Sequence, residues 1–259
     1  MPIRSLSPQP TLVEQVYEAL LSEITEGKFG AEQRLIQEEL AEGLGVSRQP
    51  VQQALLLLRS HGVLRDAPGR GLMVAPLDPE HVRDLYEIRR AVDGLASANA
   101  AERSPDLARS EGPAFIARGR AAVRSKSIAR MIAADMDFHF FLYGLSGNPL
   151  IAEVSEPHWT YLRRAMGEVL VHGNAPSGIW DEHEAILAAV IEGQPQAAER
   201  LAREHVSHAS ASLIAEMAPA EPVQRRAVSR GRRTAHSDSP GVDATASGRR
   251  FSQGRRTKP

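Results

Sequence analysis

Apolar residues recur at helical spacing from the start of the chain. Leu12, Val16, Ala19, Leu20 and Ile24 share one face of residues 11–26, after a Pro-containing lead and before Gly27, which predicts a capped amphipathic helix. A second helix is expected over about Ile36–Leu44. The turn Gly45-Val46 leads to Ser47, a good N-cap, and Pro50 is acceptable in a helix's first turn, so a third helix runs to about Ser60 and stops at His61-Gly62. Val63-Leu64-Arg65 and Leu72-Met73-Val74 are short β-type runs, and the Gly and Pro content of Asp66 to Gly71 predicts a turn between them. Residues 11–76 therefore read as a winged helix-turn-helix, with the hairpin as the wing.

After the linker Pro76-Leu77-Asp78-Pro79 only helical periodicity follows. Helices are expected near 79–103, 109–124, 127–146, 149–171, 178–192 and 195–217. The predicted breaks are Ser104-Pro105, Gly112-Pro113, Gly147-Asn148-Pro149, Gly173 to Pro176 and Gly193 to Pro195. The fold class is mainly α, an N-terminal winged helix-turn-helix joined to a C-terminal all-α bundle over 77–217. Residues 1–10 read as a flexible N-terminus. Residues 218–259 are rich in Pro, Ser, Gly and Arg with almost no large apolar side chains, so they are expected to be a disordered basic tail.

Composition narrows the chemistry. With no cysteine among 259 residues, disulfides, iron–sulfur clusters, thiolate zinc and thiol catalysis are excluded, and a metal site must use His, Asp and Glu. The aliphatic run Ala54 to Leu58 is far shorter than the ~18–20 residues a membrane span needs, and no signal-peptide pattern opens the chain, so a cytoplasmic protein without a membrane partner is expected. The net charge of −1 hides two opposite parts: residues 222–259 hold nine Arg and one Lys against Asp238 and Asp243, a balance of +8, which leaves −9 for residues 1–221.

The ordered series Leu40-Ala41-x-x-Leu44-Gly45-Val46-Ser47-Arg48-x-Pro50-Val51, Gly62-Val63-Leu64 and Gly69-Arg70-Gly71 resembles the winged helix-turn-helix of the GntR family of bacterial transcription regulators. Leu85-Tyr86-Glu87-Ile88-Arg89-Arg90, Asp135-x-x-Phe138-His139, Ser146-Gly147-Asn148-Pro149, Glu182-His183-x-x-Ile186 and His205 resemble the effector domain of its FadR-type subfamily. The resemblance covers roughly residues 11–217. It implies a homodimer on a short palindromic operator, released or retained by a small organic acid bound in the helical domain, with repression the commoner outcome.

A recognition helix presents its N-terminal side chains to base edges, which makes Ser47, Arg48, Gln49 and Gln52 the available readers. Arg donates bidentately to guanine and Gln to adenine, each good pair worth about 1–3 kcal/mol of discrimination. The family commonly has Thr at position 49 and Arg-Glu at 52–53; Gln49 and Gln52-Gln53 here imply an altered base preference. Arg70, between two glycines at the wing tip, is placed for a minor groove or a phosphate, as in the family. Yet residues 11–76 hold six Lys/Arg and nine Asp/Glu, a net −3, so the positive charge must be local. Arg48, Arg59, Arg65 and Arg70 are expected on one face; a winged helix used for protein contacts is the alternative.

Asp135 and His139 are one turn apart on a face that also carries Ile128, Ile132, Met136 and Tyr143, so they point inward. His183 shares a stripe with Ile186, Leu187 and Val190, and His205 lies beside Ala198, Ala202 and Ala209. Three inward imidazoles and a carboxylate suit a divalent transition metal such as zinc, nickel or manganese. The order of Asp135, His139, His183 and His205 also matches the metal-binding branch of the subfamily. Arg89 falls on the stripe Val82, Leu85, Val92, Ala96, and a buried cation needs an anion, either an effector carboxylate or Asp93 or Asp135. Asn148, Tyr143 and Arg163 complete the effector-binding candidates, with a helix cap for Asn148 and a core role for Tyr143 as alternatives.

Two other functions compete. A metal-dependent hydrolase would need a positioned base, and His183-Glu184-Ala185-Ile186-Leu187 lacks the second His of a zincin helix. A constitutive DNA-organising protein is suggested by Arg230-Gly231-Arg232-Arg233, Gly248-Arg249-Arg250 and Gly254-Arg255-Arg256, since flexible basic arms add salt-sensitive affinity for phosphate. The favoured expectation is a ligand-responsive, metal-containing regulator and not an enzyme, its signal carried by the Pro76–Pro79 linker.

Overall fold

The computed structural model describes residues 10–172 and 178–217. The flexible N-terminus expected over residues 1–10 falls almost wholly outside these residues, as does the tail expected over 218–259.

Among the described residues the chain forms nine helices and one small sheet. α1 (Leu12–Thr25) begins at a capping box in which the Thr11 side chain accepts from the Glu14 N–H while Glu14 reaches back to the Thr11 N–H. α2 (Gln37–Leu44) ends at Gly45, whose φ of 65° permits the sharp turn into α3 (Arg48–Ser60). β2 (Leu64–Asp66) and β3 (Leu72–Val74) form the wing. A third strand, β1 (Arg34–Leu35), was not legible in the sequence; it pairs antiparallel with β3, giving the order β1-β3-β2. Two residues are too few for an alternation pattern. Val16, Leu20, Leu21, Val51, Ala54, Leu58, Val63 and Val74 build one core from these elements.

The remaining helices are α4 (Pro79–Arg103), α5 (Pro105–Ser125), α6 (Ile128–Leu145), α7 (Pro149–His172), α8 (Ile179–Ile191) and α9 (Pro195–Met217). The expected break at Gly112-Pro113 is absent, and the helix predicted for 109–124 starts at Pro105 and runs on unbroken. Pro113 lies on the exposed side, where the carbonyl it leaves without a partner meets water. Gly112 is a contact point and not a stop: a Cβ there would lie 2.5 Å from Leu187 of α8, and one on Gly119 would lie 2.0 Å from Trp180. These two glycines let α5 press directly onto α8.

α7 also packs against the winged helix. Gly167 abuts the C-terminal end of α1, where an added Cβ would stand 2.2 Å from the Thr25 carbonyl oxygen. The Tyr17 hydroxyl lies 3.1 Å from Thr160 Oγ1 and 2.8 Å from His61 Nδ1, Arg163 pairs with Glu18 at 2.9 Å, and Arg164 donates to the Ala75 carbonyl. The Asp78 N–H donates to the Tyr161 hydroxyl at 3.0 Å, which fastens the linker to the same helix. No helix among the described residues is long and apolar enough to cross a membrane.

Candidate functional site

Helical phase brings three histidines together. His139 of α6, His183 of α8 and His205 of α9 are all buried, and one ring nitrogen from each lies within 4.8 Å of the others. The Nε2 atoms of His183 and His205 are 3.1 Å apart. Two nitrogens bound tetrahedrally at about 2.0–2.1 Å from zinc stand at roughly that separation. Asp135, one turn before His139, stands beside two of them: its Oδ1 lies 3.5 Å from His183 Nε2 and 3.9 Å from His139 Nε2.

The surroundings fit a metal. Neither His139 nitrogen has a hydrogen-bond partner, nor does His183 Nδ1, although both rings are buried. Such orphaned groups are costly unless something unseen satisfies them. Burial, reinforced by the Arg89 cation, holds His139 below its ordinary pKa. Burial and the neighbouring imidazoles do the same, more strongly, to His183. Neutral imidazoles are the metal-binding form. Carboxylates stand behind two of the rings: Asp93 Oδ2 is 3.2 Å from His139 Nδ1, and Glu182 Oε2 is 2.8 Å from His205 Nδ1. The Glu182 hydrogen bond is of the kind that orients a ligating imidazole by fixing its outer nitrogen, while Asp93 acts on His139 as a neighbouring charge. Glu182 also accepts from His208 Nδ1 at 2.9 Å, and the hydrogen bond to His205 is the main cause holding its carboxyl below the usual range.

Arg89 of α4 is buried beside this cluster. Its Nε lies 3.1 Å from Asp93 Oδ2, so the structural ion pair exists, while Asp135 Oδ2 is 3.9 Å from one terminal nitrogen. That terminal nitrogen has no hydrogen-bond partner. Burial pushes the Asp93 carboxyl up, but Arg89 and His139 outweigh it and hold it down at about 2. Tyr143 is a core residue whose hydroxyl donates to Asp93. The guanidinium carbon of Arg89 also sits 4.1 Å from the Trp159 ring centroid. Desolvated stacking of this kind contributes up to about 2 kcal/mol.

A cavity of about 300 Å³ opens from this cluster, bounded by Arg89, Asp135, Glu182 and His205 at one end and by Met166 and Leu213 along its walls. Tyr143, Asn148 and Arg163 do not line it. Asn148 caps α7, its Oδ1 accepting from the Leu150 N–H at 3.2 Å, and Arg163 faces α1. Sequence reasoning gave no site role to Trp159 and His208, and Glu182 entered only within the resemblance. The spacing of His208 three residues after His205 carried that signal; nothing in the spacing singled out Trp159.

On the winged helix, Ser47, Arg48, Gln49, Gln52 and Arg70 are all exposed. Ser47 makes no capping hydrogen bond, and Arg48 pairs with Glu38 at 3.0 Å on the surface. Arg34 donates to the carbonyls of Arg70 and Pro68, which braces the wing tip. Arg59 and Arg65 are paired with Asp66 and Glu32, so with Arg48 three of the four arginines of the expected basic face already have a carboxylate partner.

Comparison with known proteins matches residues 12–74 to "Bacterial regulatory proteins, gntR family" and residues 84–208 to the FCD domain. The chain is 30% identical over 173 residues to an HTH-type transcriptional regulator in an unstable DNA locus of Streptomyces ambofaciens, covering 66% of this chain and 72% of that protein. It is 24% identical to the HTH-type transcriptional repressor RspR of Escherichia coli K12, over 80% of this chain and 91% of that one. Among solved structures, E. coli McbR/YncC superposes with a TM-score of 0.70 at 23% identity, covering 80% of this chain and 99% of that one. A GntR regulator from Rhodococcus sp. RHA1 gives 0.66 at 22% identity, over 78% and 97%. These two likenesses establish the fold.

Proposed function

This chain belongs to the GntR family of bacterial transcription regulators with an FCD domain, and from that premise we propose that it binds a palindromic operator as a homodimer and responds to a small carboxylate held at a metal. Its activity is regulation of transcription and not catalysis, as in the relatives it resembles. The similarity to RspR favours repression.

The observation that carries the effector reading is the buried Arg89 nitrogen without a hydrogen-bond partner, at the inner end of a cavity that also reaches His205 and Asp135. A carboxylate satisfies that cation. His139, His183, His205 and Asp135 would hold a divalent zinc, nickel or manganese ion, which when bound supplies a Lewis-acidic contact for an anionic oxygen. Trp159 fixes the guanidinium plane, and Asp93 balances its charge.

The route to DNA runs through α7, where the sequence reading relied on the linker alone. Met166 and Val169 face the cavity, while Thr160, Arg163, Arg164 and Gly167 hold the winged helix. An effector that favours one seating of α7 therefore biases the orientation of the reading heads. Ser47, Arg48, Gln49 and Gln52 would read bases and Arg70 the minor groove or a phosphate.

Selection of bound duplexes from a random pool tests the operator claim. An inverted repeat with half-sites about 10 bp apart, centre to centre, is expected of a dimer; an asymmetric single site would overturn it. Loss of operator retention on adding carboxylates to wild type, but not to His183→Ala, tests the effector claim.

A further inference from the structure

The cavity is polar at both ends, and the ends differ in what they offer a ligand. At the inner end lie the unpartnered nitrogen of Arg89 and the histidine cluster. From there the cavity follows α9, past His208 and Ala209 to Ser212, Leu213 and Glu216. At 1.5 Å per residue Ser212 stands about 10 Å beyond His205. The intervening walls include Met166, Val169 and Leu170. Glu182 already gives both carboxylate oxygens to His205 and His208. Glu216 forms no ion pair with any described residue, so among these the outer end offers a hydroxyl and a carboxylate.

Resting on the effector reading above, we propose that the ligand is an elongated amphipathic carboxylate with an apolar middle and a hydrogen-bond donor, hydroxyl or ammonium, at its far end. A second carboxylate at that end would meet Glu216 as a like charge and is disfavoured. A very short acid satisfies Arg89 but leaves the apolar walls uncovered, forfeiting most of the contact area that gives affinity. With carbon–carbon bonds of ~1.5 Å, an extended chain of roughly eight carbons matches the rise along α9 from His205 to Ser212.

The test is calorimetric titration of full-length, zinc-reconstituted protein with acetate, octanoate, ω-hydroxyoctanoate, ω-aminooctanoate and octanedioate. The hydroxy and amino acids are expected to bind about tenfold more tightly than octanedioate and more tightly than octanoate or acetate. Glu216→Gln, at an exposed position, should narrow the gap to octanedioate. Equal or tighter binding of octanedioate or acetate overturns the proposal. Ser212→Trp fills the cavity mouth and separates the two levels of the claim. If the acids lose affinity there, the cavity stands as their site whatever the ranking. If none binds, or if Ser212→Trp changes nothing, the cavity reading itself falls and the proposal with it.

Discussion

Gly167 of α7 meets the backbone of Thr25 in α1 so closely that a side-chain carbon on Gly167 would stand 2.2 Å from the Thr25 carbonyl oxygen. This contact lies across α7 from Val169, which lines the cavity. Gly167→Ala therefore has to shift α1 relative to α7. The expected result is retained metal content with at least a several-fold change in operator affinity or in its response to ligand. Unchanged binding and response would remove α7 as the coupling element.

The histidine cluster predicts about one divalent metal per chain in purified protein, lost in the His139→Ala/His205→Ala double mutant. Elemental analysis of both, with chelator-dialysed protein as control, measures it. A metal held at about 100 times its dissociation constant adds about 2.7 kcal/mol of stability, so chelation should visibly lower the melting temperature of the wild type alone. His183→Ala with full occupancy would contradict the proposed ligand set.

Acid should weaken the metal-free fold. His139 and His183 are held below 6.5 in the folded state, so at mildly acidic pH the unfolded chain binds more protons than the native one. The stability from neutral imidazoles is thus present above about pH 6.5 and lost as pH falls toward the folded values. Asp93, held at about 2 against 3.8, adds a second loss at lower pH, beginning below about 4. Melting temperatures of chelated protein between pH 7 and 5 should fall, and less steeply in His183→Leu; a flat profile would mean that these rings titrate in the fold as they do in the unfolded chain.

Arg48 is exposed at the first turn of α3, and its side chain is tied to the surface carboxylate of Glu38. Arg48→Ala should cost about 1–3 kcal/mol of specific binding while leaving fold and metal content intact. Retained sequence preference in a competition assay would reject it as a reader.

Removing residues 222–259 deletes a balance of +8. If this segment contacts phosphates, the dependence of DNA affinity on salt becomes shallower by roughly one unit per lost contact. An identical slope for the truncated protein would discard the arm.

The sequence by itself determined the helices, most of their ends and the inward phase of Asp135, His139, His183 and His205, because these follow from local periodicity and from Pro and Gly chemistry. The two-residue strand β1 and the unbroken α5 were not legible: a strand so short exists only through its partner, and Gly112 reads as a breaker until Leu187 is packed against it. Phase says that a side chain points inward, but not what it meets. That Glu182 backs His205, that Trp159 stacks on Arg89, and that Asn148 and Arg163 lie away from the cavity was decided only by tertiary packing. Those partners come from helices far apart in the chain, and their distances are set by how closely the helices approach.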